Sequence, residues 1–139
     1  MSLFNLSDKV YAVTGASGAL AGKAAQYLAE NGAKVAFISR SQSKLDLAVK
    51  DLGPEAATFT CDVTDRKALK TSFDLILQRF GHIDGLINGA GGNMPGATIG
   101  PDMSVFDLDF NDYEKVLQLN LSGTLLPSLV FGEYFAERK

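Results

Sequence analysis

The feature that most constrains this chain is a glycine turn, within residues 10–31, between a short apolar run and an amphipathic segment. Residues 10–13 (VYAV) are too few for a helix, and Thr14-Gly15 interrupts them, so a buried strand is predicted. After the turn, apolar side chains recur at helical spacing and predict a helix with an inward stripe of Leu20, Ala24, Tyr27 and Leu28. A strand that enters a helix through glycines leaves the first helical N–H groups unpaired, where the helix dipole favours negative charge. Such a turn can seat a pyrophosphate, although similar turns also occur in folds that bind no ligand.

Composition and charge exclude several classes of protein. The 139 residues suffice for one domain with its own core, since 46% are hydrophobic. The formal net charge is −3 and no cluster of lysine or arginine stands out, so a nucleic-acid partner is not expected. The single cysteine, Cys61, cannot form an internal disulfide. The opening MSLFNLSDK lacks a signal-peptide pattern, and no apolar run approaches the roughly 20 residues that cross a bilayer. A soluble cytoplasmic protein without a membrane partner is therefore expected.

The rest of the chain repeats the alternation of strand and helix. Further strands are predicted at residues 34–39, 56–60 and 84–88, and further helices at 43–52, from about 65 to 80, and from 109 to about 137. Apolar runs this short, bounded by turn residues, are typical of parallel strands buried on both faces. The order predicts an α/β fold with a doubly wound parallel sheet, of which residues 1–139 supply the first four strand–helix units as one domain.

Candidate ligand-binding residues cluster where the strands end. Ligands in open α/β sheets bind beyond the carboxyl ends of the strands, where the glycine turn and the long loop after residue 88 would converge. The second strand ends at Ser39-Arg40 without a carboxylate, and a hydroxyl beside a guanidinium fits the 2′-phosphate of NADP. A solvated loop arginine is the alternative interpretation. Asp62 follows the third strand and is free to bind a ligand. No metal site is predicted.

The last predicted helix carries two unusual residues. Its middle is apolar on all sides, which indicates burial on more than one face. Pro127 lies inside it and predicts a kink, because its ring presses on the carbonyl of Gly123. Asn120 lies in the apolar stripe, where a satisfied core asparagine and a functional residue remain open alternatives.

Elsewhere in the chain, Cys61 is interpreted as a small buried hydrophobic residue and His82 as part of a surface turn.

Four separated segments match one protein family in order and spacing. They are TGASGALA at residues 14–21, CDVTD at 61–65, INGAG at 87–91 and LQLNLSGT at 117–124. On these segments the chain resembles the amino-terminal half of the short-chain dehydrogenase/reductases, and most of all their branch of mannonate or fructuronate oxidoreductases. The resemblance implies a Rossmann-type fold, NADP as cofactor with NAD as the alternative, a carbonyl or secondary alcohol substrate such as a sugar acid, and a homo-oligomer.

The resemblance also implies roles for individual residues. It assigns the pyrophosphate to Gly15, Ser17, Gly18 and Leu20, the 2′-phosphate to Arg40, the adenine to Asp62 and Val63, the ribose to Asn88, Ala90 and Gly91, and a catalytic role to Asn120. Three positions depart from the family pattern. The last two glycines of TGxxxGxG fall on Ala19 and Ala21, and Gly89 replaces the second asparagine of NNAG.

The family's proton-transfer residues have no counterpart in these segments. The resemblance calls for a tyrosine, a lysine four residues later and a serine. Tyr134 and Arg138 have the tyrosine–lysine spacing, but they lie on the last helix, before the strand expected to carry the serine. This chain is therefore expected to be the coenzyme-binding half of an NAD(P)-dependent oxidoreductase and inactive alone. A non-catalytic dinucleotide-binding module or sensor, and an α/β domain with a vacant turn, are the alternatives. An exposed fourth strand and an apolar last helix predict association.

Overall fold

The computed structural model describes residues 5–138 as four parallel strands with helices on both faces. The strands are β1 (Val10–Thr14), β2 (Lys34–Ser39), β3 (Ala56–Thr60) and β4 (Gly85–Asn88). The helices are α1 (Ala19–Glu30), α2 (Gln42–Val49), α3 (Arg66–Phe80), α4 (Phe110–Leu117) and α5 (Gly123–Glu137). The sheet order is β3-β2-β1-β4, which confirms the doubly wound parallel arrangement. Residues 1–4, part of the opening stretch assessed for a signal peptide, lie outside the described residues.

The central strands are apolar on both sides because the sheet has a core on each face. On one face, Val10, Ala12 and Ile38 pack against α3 and α5, where Phe73 meets Phe131 edge to face with ring centroids 5.2 Å apart. On the other face, strand side chains pack against α1 and α2, and they include Val13, Val35 and Phe37. Each fully buried valine, isoleucine or phenylalanine side chain among them stabilises the fold by about 1.5–3 kcal/mol.

The helices predicted to begin near residues 65 and 109 both have an aspartate cap. The Asp65 carboxylate accepts hydrogen bonds from the backbone N–H groups of Lys67 and Ala68 and begins α3. Gly81 ends that helix in the left-handed conformation, with φ of 83°. Asp109 caps α4 by accepting from the N–H of Asp112. These side chains satisfy donors that a helix start otherwise leaves unpaired.

The predicted inward stripe of α1 is wrong except at Leu28, which is partly buried against the core. Leu20 is 90% exposed and Tyr27 is 65% exposed, whereas the buried residues are Ala21, Gly22 and Ala25. The helix approaches the β1 turn so closely that a Cβ atom on Gly22 would lie 2.8 Å from the carbonyl oxygen of Ala16. Only small side chains fit this contact, so the large apolar residues turn outward.

The predicted continuous last helix is interrupted upstream of Pro127. A single π-helical turn, Gln118–Ser122, separates α4 from α5, and the Gly123 N–H bonds the Gln118 carbonyl. Pro127 is buried within α5 and removes a donor there without ending the helix. The helix therefore continues through Pro127, and the kink there stays a prediction.

The β4 edge of the sheet and a stripe of leucines that runs from α4 through the π turn into α5 are uncovered within residues 5–138. β4 pairs only with β1 there, so its other backbone edge is open. Leu117 and three further leucines recur every four residues and are exposed, namely Leu121, Leu125 and Leu129. None of the described helices combines the length and apolar character needed to cross a bilayer.

Candidate functional site

The carboxyl ends of the strands surround a cleft of about 180 Å³. The turn after β1, the end of β2, the end of β3 and the loop after β4 all contribute to it, as predicted for an open α/β sheet. Its lining residues are Gly15, Ser17, Gly18, Ser39, Arg40, Cys61, Val63, Gly89, Ala90, Gly91 and Leu119.

The turn after β1 and the loop after β4 are in direct contact. Gly15 has φ of 67°, and a Cβ atom there would lie 2.6 Å from the carbonyl carbon of Gly89 and 2.7 Å from the nitrogen of Ala90. The Thr14 hydroxyl accepts hydrogen bonds from the N–H of Gly89 at 3.1 Å and of Ala90 at 3.3 Å. The two loops therefore form one rigid backbone surface, and only glycine fits at position 15.

Hydroxyl groups and a helix start lie beside this surface. The hydroxyls of Ser17 and Ser39 are 2.6 Å apart and join the β1 turn to the end of β2. Gly18 precedes α1 and provides no side-chain cap, so N–H groups of the first turn of α1 remain available to an anion. Small side chains, hydroxyls and a helix start form a surface suited to phosphate groups.

Two neighbouring residues after β3 line different cavities. Val63 is buried and lines the cleft, whereas Asp62 lines an adjoining cavity of about 250 Å³ with Arg40. The bond from the Thr64 hydroxyl, at 2.7 Å, is the main reason why the pKa of Asp62 is below its usual value, and the Arg40 charge adds to this effect. Asp62 is therefore an anion at neutral pH.

Cys61, which also lines the cleft, has an unreactive environment. Burial raises the pKa of its thiol, so the thiol is protonated at neutral pH and is a weak nucleophile. Within residues 5–138, no group of three or more histidine, cysteine, aspartate or glutamate side chains is placed to hold a metal ion.

Asn120 lies in the π turn and fixes the loop after β4. Its amide nitrogen donates to the carbonyl oxygens of Gly92 at 2.7 Å and Val116 at 2.8 Å, and its oxygen accepts from the Gly92 N–H at 3.2 Å. A Cβ atom on Gly91 would lie 2.8 Å from the Asn120 oxygen. The side chain is thus satisfied by backbone groups and positions the Gly91–Gly92 segment.

The structure brings most of the predicted contact residues together. Those lining the cleft are Gly15, Ser17, Gly18, Ser39, Arg40, Val63, Ala90 and Gly91. Three others lie around it: Asp62 in the adjoining cavity, Leu20 exposed at the start of α1, and Asn88 bonded through its amide to the Ser128 hydroxyl. The sequence prediction missed Cys61, Gly89 and Leu119 in the cleft. Cys61 and Gly89 directly follow strands, and that position is the signal that could have identified them.

Comparison with known proteins identifies the family of this chain. The family model described as short chain dehydrogenase matches residues 9–139. The chain belongs to the short-chain dehydrogenase family. It is 39% identical over 140 residues to the uncharacterized oxidoreductase UxuB of Bacillus subtilis, covering 93% of this chain and 50% of that protein. It is 33% identical to a fatty acyl-CoA reductase of Acinetobacter baylyi, covering 97% of this chain and 45% of that protein.

Solved structures of this family show the same architecture. A candidate D-mannonate oxidoreductase from Haemophilus influenza, solved with bound NAD, has a TM-score of 0.83 and 34% identity, covering 93% of this chain and 51% of that one. A short chain dehydrogenase from Bacillus anthracis has a TM-score of 0.81 and 30% identity, covering 94% and 53%. The chain therefore has the Rossmann-type fold and spans about half the length of the short-chain dehydrogenases it matches.

Proposed function

We propose that this chain forms the coenzyme-binding half of an NAD(P)-dependent oxidoreductase. The observation that carries the proposal is the contact between the β1 turn and the β4 loop. Gly15 and Gly89 lie so close together there that they present backbone atoms, not side chains, to the cleft. The family is one of oxidoreductases, and one structural relative holds NAD. Hydride transfer between nicotinamide and a carbonyl or secondary alcohol is proposed for a longer protein organised like these relatives.

The residues of the cleft fit the successive parts of a dinucleotide. The glycine turn and the start of α1 suit the pyrophosphate, with Leu20 contributing through its backbone because its side chain is exposed. Ala90 and Gly91, after Asn88, suit the adenosine ribose, and Asn120 acts on that loop through its bonds to Gly92. A bound nicotinamide coenzyme would supply or accept the hydride.

The end of β2 supports a preference for NADP. Ser39 and Arg40 line the cleft together, and no carboxylate follows β2 directly, so a 2′-phosphate would meet a hydroxyl and a guanidinium. NAD remains the alternative cofactor, because the candidate D-mannonate oxidoreductase holds NAD.

A sugar acid is the proposed substrate of the longer protein. The support is the likeness to the candidate D-mannonate oxidoreductase at 34% identity.

The proposed compartment is the cytoplasm, supported by the buried, unpaired thiol of Cys61.

Direct titration of the chain with NADPH and NADH tests the proposal. We expect saturable binding of both, with tighter binding of NADPH, measured by isothermal titration calorimetry. Absence of binding at millimolar coenzyme would contradict the proposal. A chain that binds neither coenzyme would instead be an α/β domain with a vacant turn.

We also propose that the chain associates with itself through the apolar stripe that runs from the π turn into α5. Leu121 is 65% exposed and Leu125 is 54% exposed, so they form an apolar stripe that water contacts. We expect the L121K/L125K variant to sediment as a monomer at concentrations where the unmodified chain forms dimers or larger species. The control is Leu47→Lys on α2, also exposed but on the opposite face of the sheet. Sedimentation of the unmodified chain as a monomer at all concentrations would contradict this proposal.

A further inference from the structure

The first part of the loop after β4 is held at both of its ends by one helical segment. This stretch, residues 88–92, supplies three residues to the wall of the coenzyme cleft. Asn120, in the π turn, holds the far end through its hydrogen bonds with the backbone of Gly92. Ser128, on α5, holds the near end, because the Asn88 amide nitrogen donates to the Ser128 hydroxyl at 3.0 Å. The cleft wall therefore lies between two side-chain contacts.

Thr124 connects these two contacts. Its hydroxyl donates to the backbone carbonyl oxygen of Asn120 at 3.0 Å, and its own carbonyl oxygen accepts from the Ser128 hydroxyl at 2.7 Å. A series of hydrogen bonds thus runs from Asn88 through Ser128 and Thr124 to Asn120. Hydrogen bonds joined in this way reinforce one another, so the loss of one member is expected to weaken the others.

The Ser128 hydroxyl also determines which end of the Asn88 amide faces it. A hydroxyl has a single proton, and the bond to the Thr124 carbonyl uses that proton, because a carbonyl oxygen can only accept. The Ser128 oxygen can then only accept from Asn88, so the amide nitrogen faces Ser128. Within residues 5–138, Asn88 Oδ1 has no hydrogen-bond partner. This oxygen therefore remains available to accept a hydrogen bond from a ligand.

We propose that Ser128 is a positioning residue of the coenzyme site. Ser128 does not line the cleft, so it acts through Asn88, whose amide it orients and whose position at the start of the loop it fixes. The role requires a hydroxyl group that donates to the helix and accepts from Asn88. The inference rests on the proposed coenzyme function and gives α5 a part in coenzyme binding.

A comparison of Ser128→Val with Ser128→Thr tests the inference, because valine and threonine have nearly the same shape and only threonine keeps the hydroxyl. We expect Ser128→Val to bind NADPH about fivefold more weakly than the unmodified chain, and Ser128→Thr to bind it about as tightly. Calorimetric titration measures the dissociation constants. Without coenzyme, the side-chain amide resonances of Asn88 in the ¹⁵N-labelled chain should shift in Ser128→Val and stay close to their original positions in Ser128→Thr.

The Asn88→Ala background shows whether Ser128 acts through Asn88. We expect Ser128→Val to cause no further loss of NADPH affinity in this background, because the group that Ser128 orients is already absent. A general effect of the substitution on helix packing would instead lower the affinity by the same factor in both backgrounds. Melting temperatures show whether each variant remains folded.

The matched control is Thr71→Val on α3. The Thr71 hydroxyl also donates to the carbonyl oxygen four residues earlier, that of Lys67, at 3.1 Å, but Thr71 does not line the cleft. This variant should keep both the NADPH affinity and the Asn88 resonances. Equal NADPH affinity of Ser128→Val and Ser128→Thr, or unchanged Asn88 resonances in Ser128→Val, would overturn the role of Ser128 while leaving coenzyme binding intact. Failure of the unmodified chain to bind NADPH would overturn the proposed function and this role with it.

Discussion

Gly15→Ala is expected to lower the free energy of unfolding by about 2–5 kcal/mol and to abolish detectable coenzyme binding. The new methyl group would meet the backbone of Gly89 and Ala90 at distances that real Cβ atoms do not show, and φ of 67° is unfavourable for alanine. Either the β4 loop moves away or the turn changes conformation, and both open the surface proposed to hold the pyrophosphate. Chemical denaturation and calorimetric titration measure the two effects.

Gly53→Ala is the matched control for this substitution. A Cβ atom on Gly53 has no neighbour within 4 Å, so the variant should retain both stability and binding. Equal behaviour of the two variants would show that the contact between Gly15 and Gly89 is unimportant.

The neighbouring Ala21 allows a rescue experiment. A Cβ atom on Gly89 would overlap the Ala21 methyl group and lie 2.8 Å from the carbonyl oxygen of Thr14. We expect Gly89→Ala to destabilise the chain and A21G/G89A to recover part of the loss, because one of the two clashes is removed. This contact also gives a physical reason why two of the three departures from the family pattern, Ala21 and Gly89, occur together. The methyl group of Ala21 occupies space that a side chain at position 89 would need.

Arg40→Glu is expected to weaken NADPH binding about 100-fold and NADH binding only a few-fold. The substitution removes the guanidinium proposed to hold the 2′-phosphate and puts a carboxylate in its place. Titrations should be carried out at pH 8, where the introduced carboxylate would be ionised. The neighbouring Asp62 is also ionised there, because its bond with the Thr64 hydroxyl lowers its pKa. The measured quantity is the ratio of the two dissociation constants.

Arg66→Glu controls for the altered net charge of the chain. Arg66 lies at the start of α3, is exposed and lines neither cavity, so its replacement should leave the ratio unchanged. Equal losses of NADPH and NADH affinity in Arg40→Glu would contradict the assignment of Arg40 to the 2′-phosphate. Arg40 would then be a solvated loop residue, as the alternative interpretation holds.

Local patterns sufficed for the strands, the helix caps and most of the cleft. The buried runs of β1 and β2 are short and bounded by glycine or polar residues, so their class and order followed from the sequence. Asp65 and Asp109 satisfy helix donors within a few residues of themselves. Ser39 and Arg40 lie where β2 ends, and the geometry of a parallel sheet brings such positions to one edge.

Packing between distant segments could not be predicted in the same way. The inward face of α1 is set by its distance from the backbone of Ala16, which favours Gly22 and Ala25 over the larger Leu20. Asn120 in the π turn is bonded to Gly92, 28 positions away in sequence. Asp112 on α4 accepts from the N–H of Gly96 in the loop after β4, and hydrophobic periodicity does not predict that contact.

The most direct test of the proposed coenzyme site is an NMR titration of the ¹⁵N-labelled chain with NADP⁺. We predict saturable chemical-shift changes at the amides of Gly15, Ser17 and Gly18, at Ser39 and Arg40, and at Ala90 and Gly91, with little change on the remote surface of α3. Shifts confined to other regions, or no shifts at millimolar NADP⁺, would contradict the proposal that the convergence of the β1 turn and the β4 loop forms a coenzyme site.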